Sequence, residues 1–230
     1  MLIDNTNISA YGGTLLSVEW KPTDITTIEN WLDTAAQPNI YRQYVKYSEA
    51  DITILVEGSS YDDVEQKASN IISKMKKATL SFTKRNYYIK GYLVDAQTEM
   101  INPKARIITA TYKGRKLAAA QVFTLTNGGS ISVNGNCTVP ATIEITPTQS
   151  ISGVNITIGN KTYAFTNLAS GNTYIVDAEN GKITENGVLY SGYKSWYMPT
   201  VEGGTSTVTI SPAAAALAAS YKVYAQGRWI

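Results

Sequence analysis

Apolar and polar residues alternate along most of this 230-residue chain, and the alternation gives way only once to a clear helical period. Residues 14–20, 40–47, 50–57, 79–83, 87–94 and 105–112 read as strands with two-residue periodicity. In 40–47, Tyr41, Val45 and Tyr47 fall on one face and Arg42, Tyr44 and Lys46 on the other. In 50–57, Ile52 and Ile54 share a face before the run becomes continuously apolar, and Gly58 ends it. Residues 25–32 read as a loop or a short helical turn. Residues 61–77 form the one strong helix: Val64, Ala68, Ile71, Ile72 and Met75 recur at helical spacing as a single apolar stripe. Ser59 and Ser60 supply N-terminal caps, and Ser60 with Asp63 has the spacing of a capping box. Asp62, Asp63 and Glu65 at one end and Lys74, Lys76 and Lys77 at the other complement the helix dipole. Such a stripe must pack on a sheet, so a charge at Val64 is expected to destabilise that half of the chain.

The second half is almost purely strand-like. Residues 122–126, 130–133, 142–146, 154–158, 206–210 and 221–224 are short strands. Between them lie the turn signals Asn127-Gly128-Gly129, Asn134-Gly135, Pro147, Gly159-Asn160, Asn180-Gly181 and Asn186-Gly187. Short strands at this spacing predict a β-sandwich. The alanine-rich run 212–219 is too short for a stable helix and reads as a loop with one helical turn. Residues 114–120 read as a connector, which places two domains at 1–115 and 116–230. No motif repeats at a period of about 20–50 residues, so no solenoid or propeller is indicated.

Composition supports this reading. Charged residues make up 17% of the chain, against about 25% in typical domains. Thr, Ser, Tyr, Gly and Asn fill the difference, as strands and tight turns require. The net charge of +2 and pI of 8.4 come without a dense basic patch, so nucleic acid is not an expected ligand. The chain has no histidine and one cysteine, Cys137. That removes histidine-based triads, Cys–His dyads, a disulfide framework and Cys-rich metal sites.

Two loops resemble ligand motifs only superficially. In Gly159-Asn160-Lys161-Thr162 an Asn splits the phosphate-loop Gly-Lys pair, and a strand follows where a helix is needed. In the acidic turn at Asp177 and Glu179, Lys182 stands where a calcium loop needs glycine. No carboxylate pair announces a glycosidase. No catalytic residue, metal or cofactor is therefore expected. No stretch approaches the roughly 18 apolar residues of a membrane span, and Met1-Leu2-Ile3-Asp4-Asn5-Thr6 lacks the features of a signal peptide. Synthesis and folding in a reducing cytoplasm is the expectation. The Asn-x-Ser/Thr triplets at Asn7, Asn136, Asn155 and Asn160 are then chance occurrences.

Aromatic residues supply the candidate binding site. Of 16 Tyr and 4 Trp, Tyr190, Tyr193, Trp196 and Tyr197 cluster in one short segment. Such a group either stacks on sugar rings or serves packing and subunit interfaces, where Tyr and Trp are enriched. Packing or an interface is the favoured reading.

The order of features from residue 171 to residue 230 resembles that of siphophage distal tail proteins. A strand-turn-strand, Gly171-Asn172-Thr173-Tyr174-Ile175-Val176-Asp177-Ala178-Glu179-Asn180-Gly181-Lys182-Ile183, precedes the second Asn-Gly pair, Asn186-Gly187. Then come the aromatic-Pro segment Trp196-Tyr197-Met198-Pro199, the turn Gly203-Gly204, an alternating strand over 205–210, a Tyr-rich strand from Tyr221 to Tyr224 and the ending Arg228-Trp229-Ile230. In the first half, Leu80-Ser81-Phe82 leading into Tyr87-Tyr88-Ile89-Lys90-Gly91-Tyr92 is similar to that family's N-terminal domain.

The resemblance implies a mainly β chain of two β-sandwich-type domains, the first with one packed α-helix and the second galectin-like. It implies a hexameric ring at the end of the tail tube, built from residues 1–115 of six copies. The outer domain would then meet the tail-tip, tail-lysin or fibre protein. DNA would pass through the lumen without specific binding, and the chain would sit at the virion tail tip. The galectin-like label concerns fold alone, since a chain without histidine lacks the complete galectin sugar pattern. The alternatives are a carbohydrate-binding module, another tail component such as a tube subunit and, third, an enzyme.

Overall fold

The computed structural model describes residues 1–21, 23, 25–30, 39–45, 47–83 and 85–229; for residues 25, 29, 30 and 39–45 it describes the backbone alone. Contacts divide the chain into two units, Met1–Leu117 and Ala118–Trp229.

The first unit contains β1 (Leu2–Ile3), β2 (Thr6–Asn7), a 3-10 turn (Ile8–Tyr11), β3 (Gly13–Lys21), β4 (Ile25–Asn30), β5 (Asn39–Val45), β6 (Ser48–Glu57), α1 (Tyr61–Met75), β7 (Lys77–Ser81) and β8 (Tyr87–Asn102). It also holds the start of β9 (Ala105–Thr124), which continues into the second unit. The main sheet runs in the order β3-β6-β9-β8-β7-β1-β2, and β4 and β5 form a separate hairpin.

Alternation in β6 holds to Val56: Ala50, Ile52, Ile54 and Val56 are buried, while Leu55 turns to the other face. These residues meet Ile108, Ala110 and Tyr112 of β9, Leu80 of β7, Ile89 of β8 and the stripe Val64, Ala68, Ile71 and Met75 of α1 in one core. The helix ends two residues before the expected Lys77, because that residue starts β7. The Ser60 hydroxyl accepts from the Asp63 amide at 3.3 Å, as a cap should. The return bond differs from a capping box: the Asp63 carboxylate accepts from the Ser59 amide at 2.8 Å, one residue upstream, and from Lys67 at 2.9 Å. Those bonds, the Ser59 amide first, hold the Asp63 carboxyl below its ordinary range.

Three expectations change. Ile25–Asn30 is a strand, not a loop or helical turn, and its β-branched Ile-Thr-Thr-Ile run explains why. Residues 31 and 32 lie outside the described residues, as does the facing of the side chains from Tyr41 to Lys46. β8 and β9 run well beyond 87–94 and 105–112. The far part of β8 is exposed on both faces, so no alternation marks it as strand. Residues 114–120 belong to β9 rather than to a connector.

The second unit contains β10 (Ser130–Val133), β11 (Val139–Pro147), β12 (Ile151–Ile158), β13 (Lys161–Leu168), β14 (Tyr174–Asp177), β15 (Lys182–Glu185), β16 (Val188–Leu189), β17 (Thr200–Val201), β18 (Gly204–Ser211), α2 (Ala213–Leu217) and β19 (Ala219–Trp229). One sheet is ordered β10-β18-β12-β13 and the other β16-β15-β14-β11-β19, with β9 beside β19 and β17 on the end of β11. Ile131, Val154, Ile156, Tyr163, Phe165, Val208 and Ile210 from the first sheet share one core with Ile143, Ile145, Tyr174, Val176, Tyr221 and Val223 from the second. This is a β-sandwich. The helical turn expected within 212–219 is α2, fastened by the Tyr221 hydroxyl, which donates to the Ala215 carbonyl at 2.7 Å.

The two later Asn-Gly signals act differently. Asn186 and Gly187, with φ of 49° and 84°, form a two-residue hairpin between Glu185 and Val188. Asn180-Gly181 instead ends a four-residue loop between Asp177 and Lys182. There the Asp177 carboxylate accepts from the Glu179 and Asn180 amides and from the Asn180 side chain.

Candidate assembly surfaces

The aromatic segment becomes a strap across the edge of the smaller sheet. β13 is the last strand of that sheet, and an uncovered edge is a template for unwanted pairing. Residues 190–197 cover it. The Thr166 amide donates to the Gly192 carbonyl at 2.9 Å, the Lys194 amide donates to the Ala164 carbonyl at 2.9 Å, and Phe165 and Tyr193 form a β-bridge. Side chains complete the cover. The Ser195 hydroxyl accepts from the Ala164 amide at 3.0 Å, and the Tyr197 hydroxyl donates to the Thr162 carbonyl at 2.9 Å.

The four aromatics divide by role. Tyr190 is buried, its ring edge-on to Tyr174 with centroids 4.8 Å apart and its hydroxyl donating to the Thr166 carbonyl. Tyr193 sets its ring edge-on to Phe165 at 5.2 Å and donates its hydroxyl to the Tyr197 carbonyl at 2.6 Å. Burial pushes both hydroxyls up to about 12. Tyr197 sets its ring edge-on to Tyr163 at 5.8 Å. These three brace the strap. Trp196 does not join them: its relative exposure is 102%, so the indole stands clear of the surface. The structure therefore brings Tyr193 and Tyr197 together, sets Tyr190 against Tyr174, and presents Trp196 alone.

A second surface lies in the first unit and was not visible in the sequence. In the run β3-β6-β9-β8 both outer strands keep an unpaired edge among the described residues. β3 pairs only with β6, and β8 pairs with β7 only through residues 88–92. Residues 94–102 of β8 therefore have one free side, and Val94, Met100 and Ile101 are more than half exposed there. The two edges are level. Gly13 is in register with Val56, and Val56 with Arg106, whose guanidinium reaches Thr98 of β8. Lys21 is in register with Glu49 and Lys113, and the two-residue turn between Asn102 and Ala105 folds β8 back along β9. β3 carries a bulge at Leu16, 52% exposed, which bends that edge. The lack of alternation after Val94 was the one sequence signal for this surface.

The face of this sheet turned away from the core is polar. Lys21 bonds Glu49 at 2.7 Å and Asp51 at 3.0 Å, and Thr111 donates to Asp51 at 2.8 Å. Ala96 packs against the core, so alternation puts Asp95, Gln97 and Glu99 on this same outer face. Glu19, Glu49, Asp51, Asp95 and Glu99 outnumber Lys21, Lys113 and Arg115 there, against the basic balance of the whole chain. Among the described residues no group of three or more His, Cys, Asp or Glu side chains is placed to hold a metal ion.

No family model and no curated protein matches this sequence. Among solved structures, SPP1 Dit, described as a paradigm of the hub adsorption apparatus in phages that infect Gram-positive bacteria, superposes over 100% of this chain and 98% of its own with a TM-score of 0.75 at 10% identity. The chain has the Dit fold. The mainly β architecture with one main helix that the sequence pattern led us to expect is thus the architecture of a known phage hub protein. A chain of the phage P2 baseplate in its activated conformation with calcium aligns over 95% of this chain and 92% of its own, but a TM-score of 0.41 at 8% identity is too distant a likeness to build on.

Proposed function

We propose that this chain is a structural, non-enzymatic subunit of a phage tail tip, and that six copies close into a ring through the β3 and β8 edges. The observation that carries this reading is the pair of level, unpaired edges on opposite sides of one sheet. The antiparallel β3-β6 and β6-β9 pairs and the tight β8–β9 turn make β3 and β8 run in opposite directions. A neighbour placed head-to-tail then sets its β3 antiparallel to β8 and continues the alternation. Such a contact is heterologous and closes into a ring when its rotation divides a full turn. The bulge at Leu16 supplies local bending at that seam. The sixfold count comes from the resemblance to distal tail proteins.

In this ring the acidic outer face of the sheet lines the lumen. Like charge repels the phosphate backbone, so DNA passes without binding. The tail tube protein meets one side of the ring. The sandwich unit, with Trp196 on its braced strap, turns to a tail-tip, tail-lysin or fibre protein, since Trp is a frequent anchor at interfaces. The second reading, a carbohydrate-binding module, rests on the same exposed indole, which could stack on a sugar ring.

Gold-labelled antibody against this chain on intact virions tests the assignment. Label at the tip of the tail supports the hub. Label along the whole tail makes it a tube subunit, and absence from the virion removes the structural role.

A further inference from the structure

Four Asn-Gly pairs punctuate the second unit, at Asn127, Asn134, Asn180 and Asn186. This dipeptide carries its own chemistry. The backbone nitrogen of the following residue attacks the asparagine side-chain carbon, and glycine hinders that attack least because it has no Cβ. Reaction needs a side chain free to swing onto its own backbone and an amide nitrogen not committed elsewhere.

Three of the four side chains are held. Asn127 Oδ1 accepts from the Ile210 amide at 2.9 Å, and the Gly128 amide is itself committed to the Val208 carbonyl at 3.0 Å. Asn180 Nδ2 donates to Asp177 Oδ2 at 2.6 Å. Asn186 Oδ1 accepts from the Thr173 amide at 2.8 Å. Asn134 differs: it is exposed, only its backbone amide is engaged, with Gln121 at 2.8 Å, and its side chain makes no hydrogen bond among the described residues.

We propose that Asn134 is the site at which this chain deamidates spontaneously. The Gly135 nitrogen bonds to Asn134 Cγ and gives up its proton, the Cγ–Nδ2 bond breaks, and ammonia leaves. Water then opens the resulting five-membered succinimide at one of its two carbonyls and yields aspartate or isoaspartate. No enzyme or oxidant takes part. The product adds one negative charge. Isoaspartate also adds a carbon to the main chain, at a place with no room for it. The Asn134 carbonyl lies where a Cβ on Gly227 would stand, and the Asn136 amide donates to the Arg228 carbonyl at 3.0 Å. Modification at residue 134 therefore loosens the end of β19.

Peptide mapping by mass spectrometry after incubation of the full chain at mildly alkaline pH tests this. The peptide carrying residue 134 gains about 1 Da, and it does so roughly tenfold faster than the peptides carrying the three held residues, each of which must first give up a hydrogen bond. Asn134→Gln, which would have to close a six-membered ring, stops the gain. Hydrogen exchange on the aged protein is faster over residues 226–229 than on fresh protein, and Asn134→Gln abolishes that difference. An intact Asn134 after the incubation, or faster conversion at Asn127, Asn180 or Asn186, overturns the site. Unchanged exchange at 226–229 in fully converted protein overturns its effect on β19.

Discussion

The hydroxyl of Tyr112 on β9 serves both backbone groups of Ala78 on β7, donating to its carbonyl at 2.6 Å and accepting from its amide at 3.0 Å. One side chain thus completes the hydrogen bonding of another strand inside the first unit. Tyr112→Phe keeps the packing volume but takes this hydroxyl away from two buried backbone groups. The expected loss is about 2–3 kcal/mol, seen as a lower urea midpoint with an unchanged slope.

Gly91 and Gly114 meet where β8 and β9 pass most closely. A Cβ on Gly91 would lie 2.0 Å from the Lys113 carbonyl oxygen and 2.5 Å from the Gly114 Cα, and both obstacles are backbone. No rotamer change can relieve that clash. Gly91→Ala is expected to destabilise the first unit by about 3 kcal/mol or more, and thermal unfolding of the variant measures it.

Alkali should unfold both units. Burial pushes the hydroxyls of Tyr112, Tyr190, Tyr193 and Tyr221 up to about 12 from an ordinary 10. A group raised in this way binds its proton more tightly when folded. Its contribution is fully present below pH 10, where the unfolded chain is also protonated, and is lost as pH rises toward 12. Urea midpoints taken at increasing pH should hold steady up to about pH 10 and then fall. A midpoint that stays level above that pH would sink the assignment.

Mutations in the strap should separate bracing from recognition. Trp196→Ala removes a fully exposed side chain and should shift stability by less than about 0.5 kcal/mol. Tyr190→Phe leaves the half-buried Thr166 carbonyl without the hydroxyl that reaches it, and should cost about 1 kcal/mol. Paired thermal melts of the two variants make the comparison. Capture of tail-tip proteins or cell-wall glycan by the Trp196 variant then shows which ligand the indole serves.

How much of this was legible in the sequence depended on whether a face was buried. α1 was readable because Val64, Ala68, Ile71 and Met75 all bury. Strand β10 was readable for the same reason, since Ile131 and Val133 alternate with Ser130 and Ser132, but its pairing with β18 was not. The outer half of β8 was missed because exposure on both faces leaves no period to detect. The run Leu117–Ala120 was missed because its three alanines carry little facing information. At the candidate site, composition revealed the aromatic cluster. Its division into three braces and one presented indole depends on how the strap meets Thr162, Ala164 and Thr166 of β13, and no local pattern encodes that. The paired edges of β3 and β8 are further removed still, since they arise only when β6 and β9 fill the space between them.

Edge pairing is the central claim, and the mass of the purified chain in solution tests it most directly. The wild-type chain of 25.0 kDa is expected to sediment as six copies, with a central hole in electron micrographs. Ser17→Pro on the β3 edge and Thr98→Pro on the β8 edge should each return it to a folded monomer. A wild-type chain that stays monomeric at every concentration, or proline variants that still form the ring, would contradict the account.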